Sequence, residues 1–492
     1  MLFNSGIFLQ FFSAFLLLYW LVRGSLSQRN WLILAASYLF YGWWAPSANS
    51  SEAGSTNALV TALWHCRFLA LLVATSLFDF FIARRLDSLH SPLHRKYLLT
   101  ASIVANLGVL GFFKYADFFL HAATDALNAL GLSVAPRTLG LVLPVGISFY
   151  TFQSMSYTID VYRRELPATR SLTNFLAFVS FFPQLVAGPI ERARHLLPQF
   201  ERTRVITLPM VQEGIWLILW GMFKKVVLAD NFAPLADMVF GDKSYSAATV
   251  VLGTLAFGLQ IYCDFSGYSD IARGTARVLG FDIMLNFNLP YSATSLREFW
   301  QRWHISLSTW LRDYLYIPLG GNRLGATRTT VNLTLTMLLG GLWHGAAWNF
   351  VLWGLWHGAG LALTRSSISN FQFSILNSKA GRSLAWIATM LFVFYGWLLF
   401  RATSLSQITA MTRALGDFTA PAWITSFVLN LIVFTLPLAA MELWQHKTRN
   451  LLAPLAPLAL PRWLLMTLQG ALLTAVILFW DKKGSTFIYF QF

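Results

Sequence analysis

From end to end, the sequence alternates apolar stretches of about 20 residues with short basic turns, and this alternation restricts the possible folds most. Candidate spans fall near 7–22, 31–44, 59–83, 98–121, 139–158, 207–229, 247–272, 330–345, 347–364, 384–402, 423–442 and 463–480. A backbone immersed in hydrocarbon must satisfy its own polar groups, so segments of this kind are helices. With 56% hydrophobic and 12% charged residues and a mean hydropathy of +0.55, the chain cannot be an ordinary soluble globule. The expected fold is an all-α polytopic membrane protein. Roughly 11–13 transmembrane helices, with re-entrant or interfacial helices beside them, would surround a central cavity in one domain covering 1–492. The first span follows an uncharged Met1–Gly6 and has no small-residue cleavage pattern, which predicts a retained helix rather than a signal peptide.

A net charge of +15 raises the question of nucleic acid, and the positions of the basic residues answer it. Lys and Arg cluster in Arg84–Lys96, Arg163–Arg170, Arg192–Arg204 and Arg365–Arg382, while the loops around Pro46–Asn57 and Ala122–Pro136 carry none. That is the positive-inside pattern, so the charge encodes topology and contact with the lipid bilayer, with no nucleic-acid partner. It predicts a multi-pass protein with both termini outside and Arg84–Lys96 in the cytoplasm. Cys66 and Cys263 form no disulfide framework, and no metal-ligand pattern occurs.

Within the apolar background, Thr329–Thr364 runs 36 residues without Asp, Glu, Lys or Arg, and His344 lies inside it in Gly340-Gly341-Leu342-Trp343-His344-Gly345. The segment 329–364 reads as a helical hairpin turning near Gly345–Trp348. A titratable ring at that depth fits either a reaction inside the membrane or a packing histidine hydrogen-bonded across helices. His357, thirteen residues on, would point to another face and reads as structural.

A second histidine has an equally unusual setting. The segment 292–321 is too charged to span and too aromatic for a free loop, and is expected to be amphipathic or re-entrant. At helical period Leu296, Phe299, Trp300, Trp303, Leu307, Trp310, Leu311 and Tyr314 form one stripe of a continuous helix over Leu296–Leu315, with His304 at its border. The segment fits an interfacial anchor or the lining of an internal cavity. Upstream, Asp264 and Asp270 require cationic partners at membrane depth, and Arg273, Arg297 and Arg302 are the candidates. No nucleophile elbow, phosphate-cradling loop or zinc signature appears.

The stretches FNLPYSATSLREFWQRWHISLSTWLRDYLYIPLGGN and GGLWHGAAWNFVLWGLWHG resemble the membrane-bound O-acyltransferase family, specifically its bacterial polysaccharide-acetylating branch. LPVGISFYTFQSMSYTIDVYR, FPQLVAGPIERARHLLPQF, CDFSGYSDIARG and the terminal FIYFQF extend the resemblance over most of the chain; the insert near 46–58 departs from it.

The resemblance implies an O-acyltransferase of the bacterial cytoplasmic (inner) membrane. It would move an acetyl group from cytoplasmic acetyl-CoA, the donor substrate, toward a polysaccharide acceptor such as an alginate-like polymer, peptidoglycan or cellulose, with no bound cofactor. An extracytoplasmic, SGNH-hydrolase-like acetyltransferase partner would complete the transfer. His344 matches the catalytic histidine and His304 the second, supporting one. Trp303, Arg302, Trp343, Asn349, Asp264 and Asp270 are the supporting or channel-lining candidates. An imidazole of ordinary pKa about 6.5 suits proton removal from a hydroxyl, and His304, Asn349 or backbone N–H groups near Gly345 could face the oxyanion. In the C-terminal motif 487–492, Tyr489 is either an acyl relay or part of an interfacial plug. D-alanyl transfer to teichoic acid is the alternative within the family, and a transporter or flippase of a lipid-linked saccharide the alternative outside it.

Overall fold

The computed structural model describes residues 1–22, 25–43, 58–366, 378–452, 454–455, 461–480 and 487–488. Among them every regular element is helical. Tyr489 and the insert near 46–58, apart from Ala58, lie outside the described residues. The chain packs into two compact units, residues 1–214 with 272–284 and residues 215–271 with 285–492.

The first unit contains α1 (Gly6–Leu21), α2 (Leu26–Gly42), α3 (Ala58–Ser88), α4 (Pro92–Ala129), α5 (Ile147–Tyr162) and the short α6 (Leu172–Val179), α7 (Phe182–Leu185) and α8 (Ala193–Glu201). Entry to α2 is fixed by a capping box in which the Ser25 and Gln28 side chains each accept the other's backbone N–H. The apolar interior is aromatic: Phe182 meets the edges of Phe11 and Phe15 at centroid distances of 5.4 and 5.3 Å. A polar knot joins α3, α4 and α5. The buried Asp79 accepts hydrogen bonds from Ser102 (2.6 Å), Asn106 (2.8 Å) and Ser154. A carboxylate costs so much to bury that this convergence of donors is what makes the position tolerable.

The chain continues through α9 (Leu208–Met222), a π-helical turn at Phe223–Ala229, α10 (Asp230–Phe240) and α11 (Ala247–Val278). The second unit then holds α12 (Leu296–Arg302), α13 (Ile305–Leu311), α14 (Gly325–His344), α15 (Trp348–Ser366), α16 (Lys379–Arg401), α17 (Leu405–Ala414), α18 (Ile424–Thr448) and α19 (Arg462–Leu478). Each apolar stretch marked in the sequence holds a helix, although in 139–158 the helix begins only at Ile147. Among the described residues, four helices (α4, α11, α16 and α18) combine the length and hydropathy of a full crossing. α4 and α18 leave most of their apolar windows uncovered, with Leu429, Val433, Leu436 and Leu443 exposed along α18. Such a surface is stable against lipid rather than water. The protein is an all-α, multi-pass membrane protein.

One expectation fails. Leu296–Leu315 is not a continuous helix: α12 ends at Arg302, His304 takes the left-handed conformation (φ 42°, ψ 53°), α13 starts at Ile305, and a π-helical turn follows at Arg312–Tyr316. The backbone groups freed at the break bond to an upstream segment of the chain instead. Asn288 N–H donates to the Arg302 carbonyl and Ile305 N–H to the Asn286 carbonyl, both at 2.9 Å. Period counting could not register this, because the partner residues stand before the helix and have no periodicity of their own.

Candidate active site

α14 and α15 form an antiparallel pair joined by Gly345–Ala347, and glycine lets them approach closely. A Cβ at Gly341 would stand 2.2 Å from the Phe350 carbonyl oxygen, and one at Gly354 2.5 Å from that of Met337. Small residues at a helix seam are the usual way to gain packing contact where lipid supplies no hydrophobic drive. The tight closure places His344, the last residue of α14, in a buried aromatic box. Its ring lies edge-on to Trp343 and Trp353, both at 5.2 Å, and to Phe400 at 5.4 Å.

His304 comes to the same place from the break between α12 and α13, its ring centroid 6.3 Å from that of His344. A left-handed conformation costs a non-glycine residue on the order of 1–3 kcal/mol, and Asn286 supplies the compensating bonds. Asn286 Oδ1 lies 3.1 Å from His304 Nδ1 and accepts from the Ser306 hydroxyl (2.9 Å) and backbone N–H (3.3 Å), while its Nδ2 donates to Ser269. The Ser306 backbone donor identifies the amide oxygen, so His304 Nδ1 carries a proton. In the neutral ring Nε2 is then the unprotonated nitrogen. Burial pushes this imidazole, which lies outside the spans, down to about 3 and so favours the neutral form.

His344 also lines a cavity of about 1160 Å³. Its wall includes Leu333, Met337 and Gly340 of α14, Trp353, Leu361 and Arg365 of α15, and Arg297, Trp300, Leu307 and Leu311 from the broken segment. Leu333 to His344 covers about 16 Å of helix at 1.5 Å per residue. α15 runs the other way, so Arg365 marks the end of the cavity remote from His344. Leu296 packs against Gly360 near that end and brings Arg297 with it. The result is a long, mostly apolar chamber with an imidazole at one end and the exposed Arg297 and Arg365 toward the other, with Arg312 also on its wall.

The remaining candidates divide into those near this site and those that are not. Trp343 packs against both histidines, and Trp303 is buried against Trp397 and Phe299. Asn349 donates to the Phe400 carbonyl. Arg302 bonds to Glu298 and the Asn288 carbonyl, fixing the end of α12. Two lysines that were not named from sequence hold the two acids. Lys225 lies 2.9 Å from Asp264, and Lys224 lies 2.7 Å from Asp270. Both lysines come from the π-helical turn, whose extra residue per turn aims consecutive side chains into the interior. Asp264 also accepts the Ile488 backbone N–H at 2.7 Å, and Phe487 packs on Tyr268 at 4.6 Å, so Phe487 and Ile488 dock on α11 through buried contacts. His357 is buried against Trp300 and Trp353.

Sequence reading missed Asn286, Lys224 and Lys225. The two lysines carried one usable signal, a charged pair inside an apolar span; Asn286 carried none. Among the described residues no group of three or more His, Cys, Asp or Glu side chains could hold a metal ion.

Comparison with known proteins identifies the family. Residues 160–409 match the model of MBOAT, the membrane-bound O-acyltransferase family. The chain is 42% identical to "Probable alginate O-acetylase AlgI" of Azotobacter vinelandii, over 92% of this chain and 86% of that one. It is 35% identical to the peptidoglycan O-acetyltransferase of Helicobacter pylori, over 84% of this chain and 80% of that one. A teichoic acid D-alanyltransferase of Streptococcus thermophilus is 30% identical over 50% of this chain and 63% of its own length. By this match and these identities, the chain that carries the buried histidine pair belongs to the membrane-bound O-acyltransferase family and is an O-acyltransferase.

Proposed function

We propose that the protein transfers acetyl from cytoplasmic acetyl-CoA to the outer side of the bacterial inner membrane for O-acetylation of an extracytoplasmic polysaccharide, with His344 as general base. The observation that carries this reading is the chamber itself, with His344 at one end and Arg297 and Arg365 at the other. A phosphorylated thioester donor has this polarity: anionic groups suited to guanidinium, a long arm suited to an apolar wall, and a reactive carbonyl at its tip. The similarity to alginate and peptidoglycan O-acetylating relatives over most of the chain supports a polymer acceptor.

In this mechanism His344 takes the proton of the acceptor hydroxyl as its oxygen attacks the thioester carbon. The tetrahedral intermediate collapses with cleavage of the carbon–sulfur bond, and the imidazolium returns the proton to the departing thiolate. His304, oriented by Asn286, faces His344 and stabilises the charge that develops there. Tyr489 is the proposed first acceptor, passing acetyl outward to a separate SGNH-hydrolase-like transferase, with both termini of the chain outside. D-alanyl transfer is the weaker reading, because that relative matches only half of the chain.

The test is CoA release from acetyl-CoA by purified protein, wild type beside His344→Ala and His304→Ala. Loss of turnover in a folded His344→Ala protein is expected, and undiminished turnover would remove the base assignment. Tyr489→Phe should abolish transfer to the extracellular polymer, and normal polymer acetylation would end the relay.

A further inference from the structure

In the first unit, remote in sequence from the histidine pair, a cavity of about 340 Å³ is lined by Arg194, His195, Gln199, Arg202, Arg204 and Gly280, among others. Arg204 is the unusual member. It is buried, and its guanidinium donates to three neutral acceptors: Tyr19 Oη (3.2 Å), the Gln199 carbonyl (3.0 Å) and Asn30 Oδ1 (2.9 Å). Phe281 covers one face, its ring centre 4.4 Å from the guanidinium carbon. Buried charges are normally paired with opposite charges.

The acids nearby are committed elsewhere. Glu191 holds His195 at 2.9 Å, Glu165 lies 3.6 Å from Arg194, and Asp282 pairs with Arg277 at 2.8 Å. Among the described residues no carboxylate comes within ion-pair distance of Arg202 or Arg204. The guanidinium groups of Arg202 and Arg204 therefore share one cavity without a counter-ion among the described residues.

We infer that this cavity is a phosphate site. Guanidinium presents paired N–H donors that match phosphate oxygens, and the three bonds of Arg204 leave two of its five N–H groups. Tyr19, Asn30 and Phe281 hold the side chain in place, so little conformational entropy is lost on binding. The positive-inside distribution puts Arg192–Arg204 on the cytoplasmic side, where anionic headgroups and phosphorylated metabolites both occur. The site does not depend on the proposed acetyl transfer.

The test uses the full chain and its melting temperature at fixed ionic strength. One arm places the protein in nanodiscs of phosphatidylcholine with increasing phosphatidylglycerol. The other adds inorganic phosphate to protein in uncharged detergent. Wild type is compared with Arg202→Gln, an exposed position that tolerates change, and with Arg85→Gln as a control for general surface charge. Stabilisation in the lipid arm that needs about tenfold more ligand in Arg202→Gln, and not in Arg85→Gln, identifies a headgroup site. The same pattern in the phosphate arm identifies a soluble ligand. Equal responses from all three proteins, or no response in either arm, would overturn the inference.

Discussion

His304 and His344 face each other with ring centroids 6.3 Å apart, although one stands at a helix break and the other at a helix end. Their approach depends on His304 keeping its left-handed backbone, which in turn depends on Asn286. Asn286→Ala removes the acceptor for the imidazole Nδ1 proton and for Ser306. Turnover in the CoA-release assay is expected to fall about tenfold to a hundredfold, the usual cost of misplacing a reacting group by around 1 Å. Asn286→Asp keeps that acceptor and should recover much of the loss. If the two variants are equally impaired, Asn286 does not position His304.

Much of this arrangement could be read from the residues. An uncharged run with two histidines marked the α14–α15 hairpin, and most helices fell where the apolar stretches did, because spanning length and hydropathy are local properties. The break at His304 was not legible. It is caused by backbone bonds to Asn286 and Asn288, and no pattern within Leu296–Leu315 records them. The lysine partners of Asp264 and Asp270 were missed for a related reason. Their inward aim depends on a π-helical turn, and hydrophobic periodicity assumes an α-helix.

The hairpin seam should be intolerant of a single methyl group. Gly341→Ala would put Cβ 2.2 Å from a backbone oxygen, so relief requires α14 and α15 to part. A loss on the order of 1–3 kcal/mol or more is expected, with a lower melting temperature in detergent. Gly111→Ala on α4, where nothing lies within 4 Å, is the control and should melt like wild type. Equal melting of the two variants would contradict the close packing.

Breaking the Lys225–Asp264 pair should cost more than removing it. Asp264→Leu removes one of the carboxylates beside Lys225, whose bond to Asp230 at 2.9 Å stays, and takes away the acceptor for Ile488 N–H. A destabilisation of about 3–5 kcal/mol is typical when one partner of a buried pair is lost. Amide exchange at Ile488 should rise in Asp264→Leu as its hydrogen bond disappears. The double variant Lys225→Met with Asp264→Leu should recover stability but leave that amide fast. Protection at Ile488 unchanged in both would show that the C-terminal segment docks by its apolar contacts alone.

Arg297 and Arg365 are expected to act on donor binding rather than on the chemical step. Arg297→Gln and Arg365→Gln should each raise KM for acetyl-CoA by about tenfold with kcat nearly unchanged, since each removes a charge-assisted contact remote from the acetyl carbon. Shortening the donor to a thioester without phosphate should erase the difference from wild type. A fall in kcat at constant KM would instead place these side chains in contact with the reacting end.

The Glu191–His195 pair makes stability depend on pH in a definite direction. His195 Nδ1 lies 2.9 Å from Glu191, whose other oxygen accepts the Met284 N–H, and His195 is itself partly exposed. The hydrogen bond to Glu191 holds the imidazole above its ordinary 6.5, outweighing the opposite pull of burial. A folded-state value above the unfolded one means that the pair's contribution is complete below about pH 6.5 and disappears as pH rises through the folded value. Melting in phosphate-free buffer, wild type beside His195→Gln, should therefore show a gap below about pH 6.5 that shrinks as pH rises. A gap that widens toward high pH would mean that His195 is held neutral and that Glu191 serves some other partner.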